Sequence, residues 1–69
     1  FAGGESVAGE IRRRRIDRCR VDLADPLQRH VPVAAIGARW GLPDPAHFSR
    51  LFRKVVGQPP AVFRRTHLE

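Results

Sequence analysis

Sixty-nine residues carry 13 Lys or Arg against 7 Asp or Glu, a formal charge of +6, and every positive residue except Lys54 is arginine. A chain this short forms one small domain, or part of one, with a core worth only about 3–5 kcal/mol, which argues against folds that must enclose a substrate. One cysteine excludes an internal disulfide and a Cys-rich zinc module. No apolar run approaches the roughly 20 residues of a membrane span, and the opening FAGGESVAGE lacks the basic and apolar regions of a signal peptide. A soluble, reduced, cytoplasmic chain with a polyanionic partner is expected, with no membrane role. A start at Phe1 and the lack of Met are expected of a piece of something longer, and Leu68-Glu69 reads as a cloning scar outside the fold.

Pro and Gly punctuate the chain at Gly3-Gly4, at Pro26 and Pro32, from Gly41 to Pro45 and from Gly57 to Pro60. No stretch between them alternates with period 2, so an all-α fold is expected. The first helix should run from Glu5 or Ser6 to Ala24, with Ser6 as N-cap and Pro26 turning Asp25 out of helical angles. At about 100° per residue, Ala8, Ile11, Ile16, Cys19 and Leu23 share an apolar stripe, with Val21 near its edge. Six arginines between Arg12 and Arg20 spread around this helix, and Asp17 and Asp22 pair with some of them at i,i+3 or i,i+4.

A short second helix is expected over Val33 to Trp40, with Val33, Ile36, Gly37 and Trp40 on one face and Gly41 ending it. Gly37 costs about 1 kcal/mol relative to Ala inside a helix, and its missing side chain lets another helix approach closely. The third helix starts with Asp44 as N-cap and Pro45 in first position, buries Phe48, Leu51, Phe52 and Val55, and stops at Gly57. The fourth begins at Pro59-Pro60, carries Val62 and Phe63, and ends in Arg64-Arg65.

Two short helices joined by a tight glycine turn make a helix-turn-helix, whose second helix buries one face and offers the other to a DNA major groove. Opposite Phe48 and Phe52 lie Ala46, Arg50 and Arg53, flanked by Pro45, His47, Ser49 and Lys54. An apolar back and a basic front suit a helix inserted in a groove.

The residues carry a family resemblance as well. Ile36-Gly37-x-x-Trp40-Gly41-Leu42, Asp44-x-x-His47-Phe48-Ser49-Arg50-x-Phe52-Arg53-Lys54 and Gly57-Gln58-Pro59-Pro60-x-x-Phe63-Arg64 resemble the second half of the AraC/XylS-type DNA-binding domain. Upstream, Ile11-Arg12-x-x-Arg15-Ile16-x-x-Cys19-x-x-x-Leu23 is similar to the long helix linking that family's two helix-turn-helix units. A faint echo of Gly57, Ala61 and Arg65 in Gly4, Ala8 and Arg12 fits the tail of a first unit. The resemblance implies a homeodomain-like three-helix unit over 26–67, with 1–25 as that tail plus the linker helix and 68–69 as the scar. It implies a partner in double-stranded promoter DNA, a sensor or dimerisation domain upstream, and activation through RNA polymerase. The family usually has an aromatic at Leu42 and Ala at Gly37; both changes are tolerable.

The resemblance places base contacts at Pro45, Ala46, His47 and Arg50. Ala46 reaches only a thymine methyl and Pro45 donates nothing, so discrimination rests on His47 and Arg50. Arg50 reads as a bidentate guanine contact, as a phosphate contact or as a solvated arginine, and His47 as a DNA contact or an idle side chain. Arg53 and Lys54 read as phosphate contacts, and Ser49 as a phosphate contact or a solvent-facing serine. The run 12–15 reads either as a nucleic-acid or nuclear-localisation tract or as a solvated face around a buried stripe. Cys19, Trp40, Phe48, Phe52 and Phe63 read as core. His30, His47 and His67 lack metal-ligand spacing, and no residue set supports a catalytic, metal or cofactor site. Two other uses stay open: contact with a protein such as polymerase, or non-specific binding of nucleic acid by a basic helical module.

Overall fold

The computed structural model describes residues 7–68, so the Ser6 cap, the Glu5 or Ser6 helix start and the expected tail of a first unit lie outside the described residues. Four helices follow in order: α1 (Val7–Leu23), α2 (Val33–Arg39), α3 (Pro45–Val56) and α4 (Pro60–Leu68), with a 3-10 turn at Pro26–Gln28 between the first two. There is no strand among the described residues, and the fold is all-α as expected.

Helix α1 packs against all three others through Ile16, Cys19 and Leu23, each fully buried. Burying one such aliphatic side chain is worth about 1.5–3 kcal/mol, so these few positions anchor the helix. The expected stripe fails in its first half, where Ala8 is exposed and Ile11 is 45% exposed. The core built by α2, α3 and α4 takes its α1 residues from the second half of the helix, and Ala8 and Ile11 lie outside the buried cluster. Val21, expected near the stripe edge, is fully on the outside.

Local chemistry sets the remaining boundaries. The Asp25 carboxylate accepts from the Leu27 amide at 2.9 Å and caps the 3-10 turn. Helix α2 ends one residue earlier than expected, with Trp40 as its C-cap and Gly41 in the left-handed region at φ 86°. The Gly41 amide donates to Ala38 and the Leu42 amide to Gly37, a paired 5→2 and 6→1 closure that delivers Leu42 into the core. Asp44 accepts from the Ala46 and His47 amides at 3.0 and 3.3 Å, with Pro45 in the first turn of α3. At the other end the Gly57 amide donates to the Arg53 carbonyl at φ 95°.

The core runs as a chain of edge-to-face rings: Phe48 to Phe52 at 5.8 Å and Phe52 to Phe63 at 5.5 Å. Gly37 admits the first of them. A Cβ there would stand 2.6 Å from Cδ2 of Phe48, so the ring occupies the space of the missing methyl. Two further expectations need correction. Val55 is 39% exposed rather than core, because charged side chains of α1 face it, and Val56 packs inward instead. Helix α4 continues past Arg65 to Leu68, since no breaker intervenes and both the Thr66 hydroxyl and the His67 ring bond back to the preceding turn.

Candidate nucleic-acid interface

Burial of Phe48 and Phe52 fixes the rotation of α3, and the helical period then turns Ala46, Arg50 and Arg53 outward. All three are exposed. His47 and Lys54 stand exposed along one flank of this crest, whereas Pro45 and Ser49 lie along the other. Ser49 is half-buried there, and both line a mostly apolar hollow with Val33, Ala34 and Pro60 where α2, α3 and α4 begin. The seven expected site residues therefore share one helix but divide into a basic crest and a drier edge.

Charge pairing leaves the crest unneutralised. Each carboxylate among the described residues is held internally. Glu10 pairs with Arg14 at 2.9 Å and Asp17 with Arg20 at 3.5 Å, while Asp25 and Asp44 cap helices. Helix α3 contains no acid, and Arg50, Arg53 and Lys54 have no ion-pair partner among the described residues. Their charge is available to an external anion.

Asp22 is the residue that sequence spacing misplaced. It was expected to pair along α1, yet it is buried at 9% exposure and turned toward α2. It accepts from Trp40 Nε1 at 2.8 Å, from Arg39 at 3.0 Å and from Gln28 at 3.1 Å. Burial pushes the carboxyl upward, but these hydrogen bonds and the Arg39 charge outweigh it and hold the carboxyl below its ordinary value. Asp17 does pair along the helix, as expected. An acid between Cys19 and Leu23, together with a tryptophan whose N–H needs an acceptor, was the available signal. Trp40 is half-buried for the same reason: its ring packs on the core while its N–H reaches Asp22.

Further side chains lean on the turn that leads into α3. Arg15 lies against Gly41, its guanidinium 3.5 Å from the carbonyl, and Arg18 covers the Trp40 ring at 5.8 Å. The arginine run is thus only partly a solvated face. Arg64, expected merely to end a helix, donates to the Val31 carbonyl at 2.6 Å and holds the connection before α2. The Cys19 thiol points at the Ile36 carbonyl, and burial, followed by the charge of Asp22, pushes it up to about 11. It is a protonated core residue. Among the described residues no group of His, Cys, Asp or Glu is arranged to hold a metal, and no helix is long and apolar enough to cross a membrane.

A family model for the helix-turn-helix domain, of the AraC type, matches residues 2–66. The chain belongs to this family. AraC-type helix-turn-helix domains bind DNA in transcription regulation and are not an enzyme family. In this member α2, the Gly41 turn and α3 are the helix-turn-helix, backed by α1 and α4. No solved structure matches the chain.

Proposed function

We propose that the unit over 26–67 reads promoter DNA by placing α3 in a major groove. The single observation that carries this reading is the uncompensated basic crest of Arg50 and Arg53, set opposite the buried Phe48 and Phe52 on a helix whose start and stop are both capped. Arg50 and His47 address base edges, Ala46 a thymine methyl, and Pro45 walls the edge of the contact. Arg53, Lys54 and Ser49 hold phosphates, and the released counterions make affinity fall steeply with salt. Residues 1–25 combine the tail of a preceding helix-turn-helix with the linker helix. The parent protein is a cytoplasmic regulator with a sensor or dimerisation domain, and it activates transcription through RNA polymerase.

Selection from randomised DNA duplexes tests the reading. The 69-residue chain should enrich a shared short sequence. That sequence should compete about tenfold or more better than its scrambled form, since one mismatched base pair typically costs about 1–3 kcal/mol. Equal competition by the scrambled duplex would overturn specific reading.

A further inference from the structure

We propose that the groove between α1 and α3 is a second phosphate-binding surface, which holds the sugar–phosphate backbone of the same duplex beside the groove that α3 reads. This rests on the reading of α3 as the DNA-binding helix. The groove has a volume of about 550 Å³ and is lined by Arg12, Arg13, Arg20 and Lys54 together with Leu51 and Val55.

Arg12 is the telling residue. It lies four residues before Ile16, about 40° away around the helix, so it stands on the arc that continues the buried stripe. A helix shaped only for packing places an apolar side chain at such a position. Arg12 is instead exposed at the open half of α1, where it faces α3 and has no ion-pair partner among the described residues. Lys54 connects the groove to the crest, being four residues beyond Arg50 and about 40° from it.

The lining suits a nucleic-acid backbone. Its apolar side chains meet the faces of deoxyribose, while its cations meet phosphates. Asp17 is the acid in the lining, and it pairs with Arg20 at 3.5 Å. By contrast Arg14, paired with Glu10 at 2.9 Å, lies outside the groove.

The test measures binding of a fluorescent duplex, about 20 base pairs long and carrying the selected sequence, across a salt series. The wild-type chain is compared with Arg12→Ala, Arg12→Lys, Arg14→Ala and Arg53→Ala, each verified by its thermal melt. Arg12→Ala should lower the slope of log affinity against log salt by about 0.9, the value of one phosphate contact, and weaken all sequences alike. Arg12→Lys should restore the slope, and Arg14→Ala should leave it unchanged. If Arg12→Ala matches Arg14→Ala while Arg53→Ala lowers the slope, the groove does not hold DNA and the reading of α3 stands. If Arg53→Ala also leaves the slope unchanged, the reading of α3 fails and the groove proposal with it.

Discussion

Asp22 joins three elements through one carboxylate. Its hydrogen bonds to Trp40, Arg39 and Gln28 tie the end of α1 to the end of α2 and to the 3-10 turn. Loss of the carboxylate leaves the half-buried indole N–H without an acceptor, so Asp22→Ala should destabilise the fold by about 1–3 kcal/mol in urea unfolding at neutral pH. The pH dependence has a definite sign. A carboxyl held below its ordinary 3.8 contributes stability above that value and loses it as pH falls through the lowered one. Wild type should therefore be more stable than Asp22→Asn at neutral pH, with the difference shrinking below about pH 4. Parallel stability curves for the two proteins would show that the ionised form does no such work.

Close approach of α2 and α3 depends on Gly37 at the element scale. Alanine at that position gains about 1 kcal/mol of helix propensity, yet its methyl collides with the Phe48 ring, and overpacking of this kind costs about 1–3 kcal/mol. Gly37→Ala should therefore lower the melting temperature despite the better helix former, and adding Phe48→Leu should recover part of the loss. A melting temperature raised by Gly37→Ala alone would contradict the packing described. Elements of this chain were legible wherever the determinant is local. Asp44, Gly41 and Gly57 announce their caps within a few residues, and the rotation of α3 follows from Phe48 and Phe52. Val55, Asp22 and Arg64 were not legible, because each takes its environment from a different helix or connection, nor was Ile11, which lies outside the buried cluster. The crest of the site was legible in the same way as α3 itself. The hollow beside Pro45 and Ser49 was not, since it forms only where three helix starts meet.

Across the whole molecule, a formal charge of +6 is spread unevenly in its consequences. Internal acids pair with Arg14 and Arg39 outside the α1–α3 groove and with Arg20 inside it, whereas Arg12 and the three cations of α3 keep their positive charge against solvent. Net charge alone accounts for attraction to any polyanion, but sequence reading needs a donor fork held over a base edge by a rigid helix. The most direct measurement compares Arg50→Ala with Arg53→Ala on the selected duplex and its single-base-pair variants at several salt concentrations. Arg50→Ala should cost about 1–3 kcal/mol on the preferred duplex and erase discrimination at one base pair. Arg53→Ala should weaken every duplex alike and lower the salt slope by about 1. Two variants that lose affinity equally on all duplexes, with no base pair losing its preference, would contradict reading of DNA sequence by α3.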